Sequence, residues 1–236
     1  MTIVGIDLGT TNSLVSYWSD DGPKLIPNAL KSFLTPSVVG VDDQGDILIG
    51  EAAKERLITH PHLTIADFKR TMGSDKQVTL GDGASSYQFR PEELSAFVLR
   101  SLKADAEQHL GEEVTEAIIS VPAYFNDIQR KATIDAGKLA GLKVESLINE
   151  PTAAALAYGL NEVEESQFLI FDLGGGTFDV SILDKYDNVM EVRATAGDNF
   201  LGGNDFRDLL VETLATDHEF DLESLSAADK NKVLRL

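Results

Sequence analysis

A strand-and-turn pattern occurs twice in this chain of 236 residues, at positions 3–11 and again at positions 168–177. Each copy is a short apolar run that ends in an aspartate, and the two aspartates, Asp7 and Asp172, stand 165 positions apart. Small residues and a threonine follow each aspartate. A duplicated motif of this kind predicts two related halves, each with a buried strand that leads into an exposed turn.

The residue types in the two turns are suited to binding a phosphate and a cation. Glycine and other small residues expose backbone N–H groups, which can surround an anion. The aspartate at each strand end offers the oxygen ligands that hard cations prefer. Two such turns facing each other predict a clamp for ATP and its metal ion. Two other interpretations stay open: each aspartate stabilises only its own turn, and the glycines serve only the turn geometry.

Composition excludes several other classes of protein. The chain has no cysteine, which excludes a disulfide framework and a cysteine-bound zinc site. It has no apolar run of the roughly 20 residues that cross a bilayer, and no N-terminal signal pattern. The net charge of −19 disfavours binding to nucleic acid or to an anionic membrane surface. We therefore expect a cytoplasmic protein that partners neither nucleic acid nor membrane.

Strand and helix patterns alternate along the chain, which predicts an α/β architecture. One strong helix is predicted to begin at Pro91 and end at Gly111. A later helix should open at Pro151, and another should be capped by Asn204. The polar segment 163–166 is the expected boundary between two lobes.

Four segments resemble, in order, the ATPase domain of the seventy-kilodalton heat-shock chaperones, the DnaK family. They are GIDLGTTNS at 5–13, VPAYF at 121–125, NEPTAAA at 149–155 and FDLGGGTFD at 171–179. The resemblance covers essentially the whole chain. The short stretch between Arg70 and Arg90 is more similar to the HscC branch than to DnaK itself.

The resemblance implies an actin-like ATPase fold, which is an α/β fold with a ribonuclease-H-like core that occurs twice. The implied parts are a lobe I core at 1–36 and 91–162, a lobe I outer subdomain at 37–90, the start of the lobe II core at 163–201 and the start of the lobe II outer subdomain at 202–236. The second copy has fewer residues than the first, so we expect a fold truncated after the start of lobe II.

The resemblance also implies roles for individual residues. The residues expected to take part in hydrolysis are Lys69, Glu150, Asp172 and Thr177. The residues expected to bind the nucleotide are Gly9, Thr10, Thr11, Asn12, Gly174, Gly175, Gly176, Thr177, Gly202 and Gly203. The residues expected to hold Mg²⁺ through water, with K⁺ as a further cation, are Asp7, Asp172 and Asp179. Because phosphoryl transfer depends mainly on positioning and charge, Lys69 should dominate the rate.

Two further residues match an allosteric relay of the family, which carries the nucleotide state to the substrate domain. These are Pro122 and Arg130, although a proline that merely ends a strand explains the first equally well. The chain departs from the family pattern at two positions. Asn12 stands where an aromatic residue is common, and Asn204 stands where a glutamate is usual.

The function implied is that of a chaperone ATPase, which binds ATP or ADP with Mg²⁺ and hydrolyses ATP to control client binding. The implied partners are a J-domain co-chaperone, a nucleotide exchange factor and a client polypeptide, the last through an absent C-terminal domain. This chain alone should have little or no activity. Two alternatives share the fold: an actin-like filament ATPase similar to MreB, and a sugar or acetate kinase.

Overall fold

A computed structural model of the chain describes residues 2–81, 86–159, 165–187, 189–218 and 221–226, together with residues 229 and 233. Its strands, β1 to β14 in chain order, are Thr2–Asp7, Asn12–Ser19, Gly22–Leu25, Thr35–Pro36, Val39–Val41, Ile47–Ile49, Thr64–Ile65, Val78–Leu80, Tyr87–Phe89, Val114–Val121, Lys143–Asn149, Ser166–Leu173, Phe178–Tyr186 and Val189–Asp198. Its α-helices, α1 to α6, are Glu51–Lys54, Arg56–Thr59, Pro91–Leu110, Asp127–Leu139, Glu150–Ala157 and Gly203–Asp217. Short 3₁₀ helices span Pro61–Leu63, Phe68–Thr71 and Leu222–Ser224.

The largest sheet carries the first copy of the repeated motif. Its strands run in the order β11, β10, β1, β2 and β3, with β4 paired to β2. Strand β1 is parallel to β10 and antiparallel to β2, so it has a hydrogen-bonded neighbour on each side. One face of this strand packs on the core, whereas Ile3 on the other face is 45% exposed. Val4 and Ile6 are accordingly in the hydrophobic core.

Helices α3 and α4 pack together and complete this core. Helix α3 begins at Pro91 and is followed by Gly111, whose φ of 71° is in the left-handed region that glycine tolerates. Its Leu99 and Leu102 are buried against the sheet. The predicted start and end of this helix are confirmed.

The second copy of the motif lies in a smaller sheet, in which β12, β13 and β14 are antiparallel and in that order. The side chains on β12 are largely exposed, as are Phe206, Leu209 and Leu214 on α6. The predicted boundary at 163–166 falls partly outside the described residues, because residues 163 and 164 are among those not described. The sequence pattern also predicts a helix over residues 227–236, of which only residues 229 and 233 are described.

The prediction that Asn204 caps the helix near residue 204 is wrong. Helix α6 begins at Gly203, its N-cap is Gly202, and no side chain caps it. The first two N–H groups of the helix instead donate to the carbonyl oxygens of Gly174 and Gly175, at 3.0 and 2.8 Å. Since backbone acceptors satisfy these donors, the side chain of Asn204 is available for other contacts.

Residues 37–90 form small, separate elements beside the large sheet. Strands β5, β6 and β7 make a three-stranded sheet, and β8 pairs with β9. The 3₁₀ helix Phe68–Thr71 leads back from this region towards α3. Among the described residues, no helix is both long enough and apolar enough to cross a membrane.

Candidate functional site

A cavity of about 480 Å³ lies between the two copies of the repeated turn. The turn after β1 forms one wall, and the turn after β12 forms another. The segment that carries Lys69 and the start of helix α5 complete the lining. The lining residues are Asp7, Gly9, Thr10, Thr11, Asn12, Lys69, Ser120, Glu150, Ala153, Ala154, Ala157, Asp172, Gly174, Gly175, Gly176 and Thr177. The cavity therefore brings together most of the residues that the sequence predicts for a nucleotide site.

The two turns touch each other at glycines of the second copy. A Cβ added to Gly175 would lie 2.2 Å from Thr11 Oγ1, and a Cβ added to Gly176 would lie 2.5 Å from Thr10 Cγ2. Neither glycine has a φ in the left-handed region. Close approach of the two turns, rather than an unusual turn conformation, therefore requires glycine at both positions.

Several backbone donors of the two turns have no acceptor. Within the described part of the chain, no hydrogen bond is formed by the N–H groups of Thr10, Thr11, Gly175, Gly176 and Thr177. By contrast, the N–H group of Gly174 donates to Thr177 O at 2.9 Å and closes the second turn. Unpaired donors at the edge of one cavity form a site that favours an anion.

The carboxylates of Asp7 and Asp172, at the two strand ends, face the same cavity but differ in their hydrogen bonds. Asp7 Oδ1 accepts a hydrogen bond of 2.7 Å from Ser120 Oγ. The two residues are partners in the parallel pairing of β1 with β10, which places the hydroxyl beside the carboxylate. Asp172 forms no side-chain hydrogen bond among the described residues, and burial together with the charge of Asp7 raises its pKa.

Lys69 and Glu150 form an ion pair at the edge of the cavity. Lys69 Nζ donates to Glu150 Oε1 at 2.9 Å, and the lysine is almost fully buried. The lysine lies on the 3₁₀ helix Phe68–Thr71, and the glutamate is the first residue of α5. Burial raises the pKa of Glu150, while the Lys69 ammonium opposes this effect.

Asp179 lies behind the second turn and does not line the cavity. Its carboxyl is buried, and its Oδ1 atom has no hydrogen-bond partner. Burial, followed by the negative charges of Glu150 and Asp172, raises the pKa of Asp179 to about 7. An unpaired carboxyl oxygen among neighbouring carboxylates fits a bound cation, which would supply the missing positive charge.

No group of three or more His, Cys, Asp or Glu side chains in the described residues is close enough to hold a metal ion directly. Asp7 and Asp172 nevertheless line the same cavity, where their carboxylates can accept hydrogen bonds from the water ligands of a cation. The donor set of carboxylates is also the one that Mg²⁺ prefers. The residues present are therefore compatible with a hydrated Mg²⁺ ion.

The remaining predicted residues lie around the site rather than in it. Gly202 packs behind the second turn, where an added Cβ would lie 2.7 Å from the backbone of Gly175, and Gly203 donates to Gly174 O. Pro122 is buried and borders a small neighbouring pocket that also contacts Lys69.

Arg130, the second residue of the predicted relay, joins three segments. Its guanidinium donates to the carbonyl oxygens of Phe125 and Ala123 and, at 2.8 Å, to Asn149 Oδ1. Asn149 directly precedes Glu150 at the start of α5. The contacts connect the loop after β10 with the helix that carries the glutamate.

The sequence predictions missed two groups of residues that line the cavity. Ser120 was not predicted, although its place opposite Asp7 follows once β1 and β10 are paired in register. Ala153, Ala154 and Ala157, on helix α5, were not predicted to line the site either. Their small side chains leave room in the cavity, which a run of alanines does not reveal by itself.

The fold and the site define a class of protein: an α/β protein with two equivalent strand-and-turn motifs that line one cavity, where unpaired N–H groups suit an anion. The sequence model for the Hsp70 protein family matches residues 3–236 of the chain. The chaperone protein DnaK of Thermotoga neapolitana is 52% identical over 226 residues, which is 93% of this chain and 37% of that protein. The chain belongs to the Hsp70 family, and its α/β fold is the actin-like fold of the family's ATPase domain.

The family assignment confirms the predicted resemblance and does not favour the filament or small-molecule kinase alternatives. The chain spans just over a third of the length of the DnaK protein that it matches. The HscC branch stays a prediction.

Proposed function

We propose that the chain forms the phosphate-binding part of a chaperone ATPase, which binds Mg-ATP and hydrolyses it to control the binding of client polypeptides. One observation carries the proposal: two equivalent turns with unpaired N–H groups share a cavity with a buried lysine. The net charge of the chain is −19, so an anionic ligand needs these local N–H donors and a cation to bind. The expected ATP hydrolase is the full-length chaperone that would contain this chain, which we call the intact protein.

The two turns would bind the β- and γ-phosphates through their backbone donors. Thr10 and Thr11 would contribute from the first turn, and Gly175, Gly176 and Thr177 from the second. Since the two turns already lie in contact, one phosphate group would accept hydrogen bonds from both of them. The small alanine face of α5 would leave room for the rest of the nucleotide.

Lys69 would place its positive charge beside the γ-phosphate. This interaction would strengthen as the bond between the β- and γ-phosphates breaks. A bound Mg²⁺ would neutralise phosphate charge and would be held, through water, by Asp7 and Asp172. Glu150 and Asp172 would orient the attacking water by accepting hydrogen bonds from it. Asp179 would complete the acidic group and is the candidate ligand for K⁺.

Pro122 and Arg130 would transmit the state of the site to the rest of the protein. The contact of Arg130 with Asn149 supports this role, because Asn149 precedes Glu150. The partners proposed from the family are a J-domain co-chaperone, a nucleotide exchange factor and client polypeptides. We propose the cytoplasm as the place of action.

Calorimetric titration of Mg-ATP into the intact protein and into residues 1–236 alone would test the proposal. We expect the intact protein to bind Mg-ATP, and the shorter chain to bind it weakly or not at all. Asp172→Asn in the intact protein should weaken binding in the presence of Mg²⁺ more than in its absence. If neither protein binds Mg-ATP, the proposed function is wrong.

A further inference from the structure

One residue before Lys69 and one after it contact the second half of the molecule. Asp67 precedes the 3₁₀ helix Phe68–Thr71, and Arg70 follows Lys69 within it. The side chains of both residues form hydrogen bonds with residues at the beginning of helix α6, which belongs to the second half of the molecule. The chain is therefore held to the opposite half of the molecule both before Lys69, at Asp67, and after it, at Arg70.

Arg70 forms a two-pronged contact with Asp205. Its Nη2 atom donates to Asp205 Oδ2 at 2.7 Å, and its Nη1 atom donates to Asp205 Oδ1 at 3.3 Å. The side chains are 13% and 32% exposed, and the guanidinium lies over the ring of Phe200 at 5.9 Å. A paired guanidinium and carboxylate of this kind fix orientation as well as distance.

Asp67 forms the second contact, with the side chain of Asn204. Asn204 Nδ2 donates to both carboxylate oxygens of Asp67, at 3.0 and 3.1 Å. Asp67 has a φ of 57°, a left-handed conformation that costs free energy outside glycine and needs support from its surroundings. An acidic side chain at position 204 would place a second negative charge against Asp67 and remove this support.

The beginning of helix α6 is also hydrogen-bonded to the second turn, Gly174–Thr177, which we call the second phosphate turn. The N–H groups of Gly203 and Asn204 donate to the carbonyl oxygens of Gly174 and Gly175. The same helix start therefore holds the Lys69 segment through side chains and the Gly174–Thr177 turn through backbone bonds. We call the four side chains the anchor group: Asp67, Arg70, Asn204 and Asp205.

We propose that the anchor group positions Lys69 relative to the second phosphate turn and so supports the rate of ATP hydrolysis. The inference rests on the proposed function. None of the four side chains lines the main cavity, so they act through Lys69 and not on the phosphates. Loss of an anchor contact should lower the hydrolysis rate while nucleotide affinity stays nearly the same, because the backbone donors of the turns remain.

The first experiment places a carboxylate opposite Asp67 and then restores the hydrogen bond with reversed polarity. In the intact protein, Asn204→Asp should slow single-turnover hydrolysis about tenfold, since small misplacements of a catalytic group have effects of this order or larger. The Kd for Mg-ADP should stay within about twofold. The double variant Asp67→Asn with Asn204→Asp should recover most of the lost rate.

The second experiment tests the Arg70 contact with a control on the same helix. Asp205→Asn keeps the shape of the side chain and removes its charge, so it should also slow hydrolysis. Asp208 is paired with Arg207 at 2.7 Å on the same helix, but both side chains are largely exposed. Asp208→Asn should therefore leave the hydrolysis rate unchanged.

The third experiment asks whether the anchor group acts through Lys69. When Lys69→Ala has already removed the ammonium, Asn204→Asp should cause little further loss of rate. Equal losses in the presence and absence of Lys69 would overturn the inference. An unchanged rate in both Asn204→Asp and Asp205→Asn would overturn it too, as would failure of the double variant to recover.

Hydrogen exchange separates a failure of this inference from a failure of the proposed function. Exchange at the amides of residues 68–72 should become faster in Asn204→Asp and return towards the parent value in the double variant. If the parent protein does not hydrolyse ATP, the proposed function fails, and this measurement alone decides whether the anchor group holds the segment. Unchanged exchange would then show that it does not.

Discussion

The two copies of the repeated motif have nearly the same local structure and very different surroundings. Ile6 and Phe171 occupy equivalent positions, yet Ile6 is 3% exposed and Phe171 is 64% exposed. Two positions further along, Leu8 is 1% exposed and its counterpart Leu173 is 46% exposed. In both copies, a strand ends at an aspartate and is followed by a turn of small residues. The turn therefore forms from the local sequence, whereas burial depends on what packs against the strand.

The difference follows from the position of each strand in its sheet. Strand β1 lies between β10 and β2, and helix α3 covers the core beside it. Strand β12 is at the edge of its three-stranded sheet and pairs only with β13 among the described residues. The first copy should therefore contribute most of the stability, while both copies contribute to the site.

Truncation of the matched leucines should give the largest difference between the two copies. Leu8→Ala should lower the free energy of unfolding by about 2–5 kcal/mol, because it leaves a cavity in the core. Leu173→Ala removes the same atoms from a half-exposed position and should cost about 0.5–1 kcal/mol. Chemical denaturation of both variants provides the measurement. Equal losses would show that β12 is as well packed as β1.

The contact between the two turns should give the next largest effect. Gly175→Ala places a methyl group against Thr11, so the turns must separate, at a cost of about 1–3 kcal/mol for overpacking. We expect a loss of Mg-ADP affinity of about a hundredfold, since that cost falls on the geometry of the site. The measurement is calorimetric titration of the intact protein.

Gly174 provides a matched control for this substitution. A Cβ at Gly174 would meet nothing closer than Thr177 O at 3.6 Å, which is an ordinary contact. Gly174→Ala should therefore bind Mg-ADP nearly as well as the parent protein. Equal losses at both positions would mean that turn flexibility matters, and not the approach of one turn to the other.

Local patterns predicted much of the fold and the pairing of the two turns. The limits of α3 follow from Pro91 and Gly111, and the aspartates mark the strand ends. The cap at Asn204 could not be predicted, because the acceptors for the helix start are carbonyl oxygens some 30 residues earlier in the chain. The contact of Lys69 with Glu150 likewise joins distant segments, and only the resemblance to the chaperone family pointed to both residues.

The buried carboxyl behind the second turn should make stability depend on pH. Asp179 has a pKa raised to about 7 in the folded chain from an ordinary value of 3.8, so protonation favours the folded state. In buffer without K⁺ and Mg²⁺, the contribution of Asp179 to stability should fall as the pH rises from about 4 to about 7 and then level off. Asp179→Asn removes this penalty and should be more stable at pH 8 by about 1–2 kcal/mol.

The test of this pH effect is a series of denaturation curves between the two limits. The advantage of Asp179→Asn should shrink as the pH is lowered and disappear once the carboxyl is protonated in the folded and unfolded states alike. A constant difference across the series would mean that packing, and not ionisation, separates the two proteins. Added K⁺ or Mg²⁺ should stabilise the parent protein more than the variant.

The smallest expected effect concerns the different support of the two strand-end aspartates. Ser120 donates to Asp7, whereas Asp172 has no such donor, so only the first carboxylate is held in one orientation. Ser120→Ala should weaken Mg-ADP binding by about three- to tenfold, the loss expected for one ordinary hydrogen bond. Ser120→Thr keeps the hydroxyl and should bind like the parent protein. Binding of ADP without Mg²⁺ should be the same in all three proteins, since the hydroxyl acts on the carboxylate and not on the phosphates. A loss of affinity that does not depend on Mg²⁺ would place Ser120 among the residues that shape the cavity and not among those that orient the carboxylate.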